Sequence, residues 1–156
     1  MAYIESHRDD DPAARSCAFC ALLAGELTDQ PQPFVVEDLA FVSLAKFPYN
    51  PGHLVVMPTR HTGELDELSD DEHAAISSLL RRGVAAVQAA MEPHGFNIGL
   101  NLGRVAGAGI PEHLHWHVVP RWGGDTNFMP VIGETRVLPE LLADTYAKLA
   151  PHFEEG

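Results

Sequence analysis

The stretch Glu112-His-Leu-His-Trp-His-Val-Val-Pro-Arg121 sets His113, His115 and His117 in strict alternation with Leu114, Trp116 and Val118. Successive side chains of a strand point to opposite faces of a sheet. The spacing therefore predicts a strand with its imidazoles on one face and its apolar residues on the core face. Three groups that titrate near neutral pH, in one row on a rigid element, form an acid, base or nucleophile array. Four steps of strand span about 13 Å, whereas zinc holds a nitrogen ligand at about 2.1 Å. The three rings therefore do not converge on one ion from this strand alone, and their roles must differ.

Immediately upstream, Gly103-Arg-Val-Ala-Gly-Ala-Gly109 opens a glycine-rich loop that runs to Pro111. Glycines let backbone N–H groups approach a ligand closely, so a loop placed just before the histidine row suits a phosphate. A histidine nucleophile is chemically apt there. Neutral imidazole attacks phosphorus, and water or phosphate can displace the resulting phosphoramidate in a second step.

The elements around this core follow from period and punctuation. Phe34–Val36 and Leu39–Leu44 read as short strands joined by Glu37-Asp38, and His53–Met57 reads as a third strand closed by Pro58. Ser69-Asp-Asp-Glu72 is a capping-box pattern, with Ser69 as N-cap. Ile76, Leu79, Leu80, Val84, Val87 and Met91 then recur at helical spacing until Pro93 and Gly95 end the run. Phe96–Asn101 alternates as a fourth strand, the histidine row is the fifth, and a final helix covers Pro139–Pro151. Short consecutive strands with segregated helices predict an α+β fold with an antiparallel sheet. Residues 1–16 read as a flexible N-terminal tail and residues 17–156 as a single domain.

Composition bounds the function. The 156 residues carry 10 Lys+Arg against 22 Asp+Glu, a net charge of −12. That balance argues against nucleic acid or a membrane surface as partner, but leaves a small anionic ligand open. Met1–Arg15 lacks an apolar signal-peptide core, and no apolar run approaches the roughly 18 residues of a membrane span, so a cytoplasmic protein is expected. The cysteines, Cys17 and Cys20, lie in Cys-Ala-Phe-Cys within a short helical segment running to Gly25. Their spacing disfavours a structural disulfide and leaves three readings: half of a zinc site, a redox pair, or two plain thiols.

His113-Leu-His-Trp-His-Val-Val119 fits the alternating signature of the histidine triad superfamily of nucleotide hydrolases and transferases. The chain resembles its bacterial diadenosine-polyphosphate hydrolase and phosphorylase branch over roughly Cys17–Leu149. The matching blocks are Phe47-Pro-Tyr-Asn-Pro-Gly-His53, Gly95-Phe-Asn-Ile-Gly-Leu-Asn-Leu-Gly-Arg104, Ala106-Gly-Ala-Gly109 and Pro120-Arg-Trp-Gly-Gly-Asp-Thr-Asn-Phe-Met129. The resemblance implies a five-stranded antiparallel sheet with one long and one C-terminal helix, paired as a two-fold homodimer. Trp122–Phe128 and the C-terminal segment would then lie near the partner's site. It also implies that His115 takes up the nucleotidyl group and that His117 hydrogen-bonds phosphate oxygens near the scissile bond. His53 would support the row's orientation, and Asn101, Gly107 and Gly109 would bind phosphate.

In zinc-bearing members of the superfamily, a Cys-x-x-Cys pair joins a histidine after the third strand and the first histidine of the row. The resemblance thus implies Cys17, Cys20, His61 and His113 as ligands here, which would make a structural zinc site without an open position. Two positions depart from the pattern. Ala45 stands where many relatives carry Asn or Asp for the ribose hydroxyls, and Gly109 where some carry a hydroxyl for the leaving group. The expected activity is cleavage of a phosphoanhydride or phosphoramidate of a nucleotide, with a dinucleoside polyphosphate foremost. A nucleotide-binding protein with little turnover and a zinc-dependent hydrolase are the rival readings.

Overall fold

A computed structural model describes residues 12–125 and 140–154. Helices α1 (Pro12–Arg15) and α2 (Ala18–Leu23) come first, followed by strands β1 (Val35–Val36), β2 (Ala40–Leu44) and β3 (Leu54–Pro58). A 3₁₀ turn at Leu65–Glu67 leads into the long helix α3 (Asp70–Met91). Among the described residues, strands β4 (Gly95–Leu100) and β5 (Trp116–Arg121) complete the sheet, and α4 (Leu142–Leu149) and α5 (Pro151–Glu154) come last. All neighbours in the five-stranded sheet, ordered β1-β2-β3-β5-β4, are antiparallel. The α+β architecture inferred from the sequence is therefore the one observed.

Alternation divides the sheet into two faces. Ala40, Val42, Leu44, Leu54, Val56, Leu114 and Val118 pack against Ile76, Leu79 and Val87 of α3 and against Leu149 and Phe153. On the opposite face, Phe41, Ala45, Val55 and Met57 pack under Leu22 of α2. Burying each of the Val, Leu, Ile, Phe and Met side chains among them contributes roughly 1.5–3 kcal/mol. The expected capping box is present: Glu72 N–H donates to Ser69 Oγ at 3.1 Å, and Ser69 N–H donates to Glu72 Oε2 at 2.8 Å. The helix ends as Glu92 turns left-handed (φ +48°) just before Pro93, which disfavours a helical predecessor.

Element boundaries differ in places from the sequence reading. The final helix was expected over Pro139–Pro151; α4 and α5 occupy Leu142–Leu149 and Pro151–Glu154, and Pro139 lies outside the described residues. The end of the expected tail, Pro12–Arg15, is helical, with Ala14 packed against Cys17 and Cys20. Thr126–Phe128 of the segment expected near a partner's site also lie outside the described residues.

The histidine row was expected to lie wholly within the fifth strand, but β5 begins at Trp116. The β3–β5 ladder's last pair is Val56 with Trp116, although β3 itself runs on to Pro58. Proline has no N–H to offer, and its carbonyl accepts instead from the His113 ring, 2.9 Å away. Leu114 N–H turns to Thr62 O at 2.7 Å. The chain nevertheless keeps its alternation, with Leu114 and Val118 both buried in the main core.

Candidate active site

Backbone groups determine which nitrogen of each buried imidazole carries the proton. In His113, Nε2–H donates to Pro58 O at 2.9 Å, so Nδ1 presents a lone pair. In His115 the assignment is reversed: Nδ1–H donates to His113 O at 2.9 Å, and Nε2 is left with the lone pair. His53 Nδ1 accepts from Tyr49 N–H at 3.0 Å, so its proton sits on Nε2. That Nε2–H donates to His117 Nδ1 at 2.9 Å, which places the His117 proton on Nε2. Among the described residues, this last nitrogen is buried with no hydrogen-bond partner. Leaving a buried donor unsatisfied costs about 1–3 kcal/mol, so it reads as a group waiting for an acceptor.

The rings of His115 and His117 lie 5.0 Å apart, and those of His53 and His117 5.1 Å apart. Burial holds the His115 and His117 imidazoles below their ordinary value, and for His117 the neighbouring His115 adds to the effect. Both are therefore neutral at physiological pH. A lone pair on His115 Nε2 beside a donor on His117 Nε2 is an arrangement chemically capable of nucleophilic attack next to an N–H able to bind an anion.

Cys17, Cys20, His61 and His113 form a second constellation, their donor atoms all within 4.8 Å of one another. Cys17 Sγ lies 3.4 Å from His113 Nδ1, and Cys20 Sγ lies 3.6 Å from both His113 Nδ1 and His61 Nδ1. Bonds of about 2.0–2.3 Å to tetrahedral corners leave donor atoms about 3.3–3.8 Å apart, so this set fits a zinc ion. The Cys17 thiol is pulled down to about 3, first by the hydrogen bond from Cys20, with His113 adding to it against the effect of burial. A thiolate is the form that ligates metal. The Pro58 carbonyl orients His113 as an outer partner orients a metal-bound imidazole.

The remaining sequence candidates form a looser group. Asn101 Nδ2 is 3.4 Å from where a Cβ on Gly107 would sit, and Gly107 is left-handed (φ +101°). The loop folds through Gly107 N–H to Arg104 O and Ala108 N–H to Gly103 O. A Cβ on Gly109 would meet open space. Ala45 is buried in the apolar cluster on the α2 side of the sheet.

Sequence reasoning did not single out Phe19, whose ring packs 4.9 Å from His115 and 5.6 Å from His113. Its position inside Cys-Ala-Phe-Cys was the available signal, since a metal pair pins whatever lies between its ligands. Tyr49 carries no assigned role in the sequence reading beyond its place in the Phe47–His53 block, yet its N–H sets the His53 tautomer and its ring stacks on His53 at 5.1 Å.

A model of the HIT domain matches residues 28–124, well over half of the chain. The chain belongs to the HIT domain family. The cysteine pair lies upstream of the residues that define this HIT match. Over 115 residues the chain is 49% identical to the AP-4-A phosphorylase of Mycobacterium tuberculosis, covering 74% of this chain and 59% of that protein. It thus spans less than two thirds of that relative's length. It is also 32% identical over 106 residues to the adenosine 5'-monophosphoramidase hnt1 of Schizosaccharomyces pombe, covering 68% of this chain and 74% of that protein. Among solved structures, a Zn-bound histidine triad family protein from Mycobacterium smegmatis shares the fold. Its TM-score is 0.74 at 24% identity, with 91% of this chain and 96% of that chain covered.

Proposed function

We propose that this HIT protein cleaves a dinucleoside polyphosphate by transferring a nucleotidyl group through a covalent intermediate at His115. The observation that carries the reading is the pair of opposed tautomers, a free lone pair on His115 Nε2 beside an unpartnered, buried N–H on His117. The names of the relatives support it: one describes cleavage of diadenosine tetraphosphate with phosphate, the other cleavage of an adenylyl phosphoramidate. A nucleotidyl-histidine is itself a phosphoramidate, so one intermediate serves both reactions.

In the first step His115 Nε2 attacks phosphorus. A P–N bond forms while the P–O bond to the departing nucleoside polyphosphate breaks, and that bond's electron pair leaves with the oxygen. His117 Nε2–H donates to a phosphate oxygen beside the scissile bond, stabilising charge as it develops. Water or phosphate then attacks the same phosphorus, the P–N electrons return to Nε2, and the attacking group's proton passes to solvent. Asn101, Gly107 and Gly109 would cradle the phosphates. With a methyl at Ala45, ribose binding falls to other groups.

Cys17, Cys20, His61 and His113 would hold a structural zinc ion, which when bound ties the N-terminal segment to the sheet. Its place in the mechanism is indirect: the His113 carbonyl that orients the His115 ring belongs to one of its four ligands. We further propose a two-fold homodimer with continuous sheets.

The test is a quenched reaction with diadenosine tetraphosphate labelled at the α-phosphorus, with and without inorganic phosphate. Label should remain on the wild-type protein after denaturation, and His115→Ala should lose both label and turnover while keeping its circular dichroism. Tight nucleotide binding without label or turnover would leave a binding protein, the reading that Ala45 favours. Turnover by His115→Ala that disappears with chelator would instead point to a zinc hydrolase.

A further inference from the structure

The His117 tautomer is set by a chain of contacts that begins outside the histidines. Asn50, Pro51, Gly52 and His53 form a β-turn closed by His53 N–H to Asn50 O at 3.1 Å, with Gly52 left-handed (φ +84°) as a type II turn requires. The turn presents Tyr49 N–H to His53 Nδ1. Its first residue is clamped by both hydrogens of one amide: Asn50 Nδ2 donates to Pro120 O at 2.9 Å and to Asp125 Oδ2 at 2.8 Å. Both partners only accept, so the orientation of this amide is fixed.

Asp125 is anchored in turn. Arg121 donates Nε–H to Asp125 Oδ2 at 2.5 Å and Nη2–H to Oδ1 at 2.9 Å, a bidentate pair. Its Nη1–H reaches Asn97 Oδ1 on β4 at 2.7 Å, and Trp122 N–H donates to Asp125 Oδ2 at 3.3 Å. A planar guanidinium held by both β4 and β5 thus fixes a carboxylate, which fixes an amide in a loop 75 residues away in sequence.

We propose that Asn50 and Asp125 are positioning residues for the His53–His117 pair. They hold the Pro51-Gly52 turn so that Tyr49 N–H meets His53 Nδ1, which keeps the His53 proton on Nε2 and hence the His117 proton on its buried, unpartnered Nε2. Without the clamp the Tyr49 peptide drifts from the His53 ring, and the His53 proton is no longer confined to one nitrogen. His117 Nδ1 then ceases to be an obligatory acceptor, and its donor is no longer guaranteed where the phosphate would lie. The catalytic meaning of this relay rests on the phosphoryl chemistry proposed above, but the relay itself can be measured without substrate.

The experiment is long-range ¹H–¹⁵N correlation on the whole chain labelled at histidine nitrogen, at about pH 8, above the ordinary histidine range. Resonances are assigned by their loss in His53→Gln and His117→Gln. The wild type should show protons on Nε2 of His53 and His117 and on Nδ1 of His115. In Asn50→Ala the His53 and His117 nitrogens should move toward values averaged between tautomers, while His115, fixed by the His113 carbonyl, stays put. Asp125→Ala should move them the same way to a smaller extent. Asp125→Asn, which keeps an oxygen for Asn50, should retain the wild-type tautomers.

Unchanged His53 and His117 tautomers in folded Asn50→Ala and Asp125→Ala overturn the proposal. So does an equal movement of His115, which would mean general loosening. If Asn50→Ala does not fold, Asp125→Ala decides alone. In turnover, Asn50→Ala should lower kcat by about 10- to 100-fold with KM little changed, the pattern of a misplaced group rather than a lost binding contact. A wild type with the stated tautomers but no turnover would sink the functional reading and leave the positioning role standing.

Discussion

Gly52 carries several constraints at once. Its φ of +84° lies where a Cβ is disfavoured, and a Cβ built there would meet Met91 Sδ at 2.8 Å and Pro120 Cγ at 3.3 Å. The left-handed conformation alone costs a non-glycine residue roughly 1–2 kcal/mol, and the methionine must also shift. Gly52→Ala should therefore lower the denaturant midpoint by an amount equivalent to at least about 1 kcal/mol without changing the slope. A neutral result would mean that the turn relaxes freely and does not hold His53. Glu72 is a second residue with a readable sign. Its carboxylate is held below the ordinary 4.5, first by the Arg60 guanidinium, with the Ser69 backbone adding to it against burial. A group whose folded value is depressed contributes stability that is fully present above its unfolded value and is lost as pH falls through the folded one. Stability should thus decline from about pH 5 downward. Glu72→Gln, which can still accept from Ser69 N–H, should flatten that part of the urea-midpoint profile, and an unchanged slope would remove Glu72 from the acid transition.

At the scale of elements, α2 is held to the sheet by an apolar contact through Leu22 and by the Cys17, Cys20, His61 and His113 cluster. A ligand bound only by the folded state stabilises it by about 4 kcal/mol at a thousandfold excess over Kd. Adding zinc to the metal-stripped protein should therefore raise Tm in the wild type. It should not do so in Cys17→Ser or Cys20→Ser, and amides of Ala18–Leu23 should lose hydrogen-exchange protection on chelation. A zinc-independent Tm in the wild type would refute the site. Cys17 and Cys20 stood out by their Cys-x-x-Cys spacing, but that spacing left three readings open, and only the family resemblance pointed to His61 and His113 as their companions. Helix α3 was legible because Ser69 and Glu72 advertise its start and an apolar stripe marks its face. The histidine row gave away which faces its side chains take, although the ladder stops at Trp116. What spacing could not convey was proton placement. The His115 tautomer is set within its own segment by His113 O, but the others depend on another segment: Pro58 O for His113, Tyr49 N–H for His53, and through His53 the state of His117. The Asn50–Asp125 link was invisible for the same reason, since an Asn in a Pro-Gly turn and an Asp after Gly-Gly each read as ordinary turn residues.

For the whole molecule, charge and sheet edges together bear on assembly. Every copy carries −12, so copies repel one another unless they meet where charge is lowest. Among the described residues, the sheet's edges are β1, only two residues long, and β4, six residues long. Strand β4 reads Gly-Phe-Asn-Ile-Gly-Leu and carries no charge, and its Ile98 is 51% exposed. An edge strand of this length with an apolar side chain is a template for pairing, and an isologous contact uses it twice about a two-fold axis. The proposed homodimer would therefore form through β4, joining two sheets into one. Screening should strengthen it, because added salt weakens repulsion between acidic copies without weakening apolar or backbone contacts. Sedimentation equilibrium should give twice the chain mass, with tighter association at higher salt. Ile98→Glu places like charges near each other across the axis and should yield monomers with unchanged far-ultraviolet dichroism. A wild type that remains monomeric at high salt would rule the homodimer out, and a dimer that survives Ile98→Glu would move its interface away from β4.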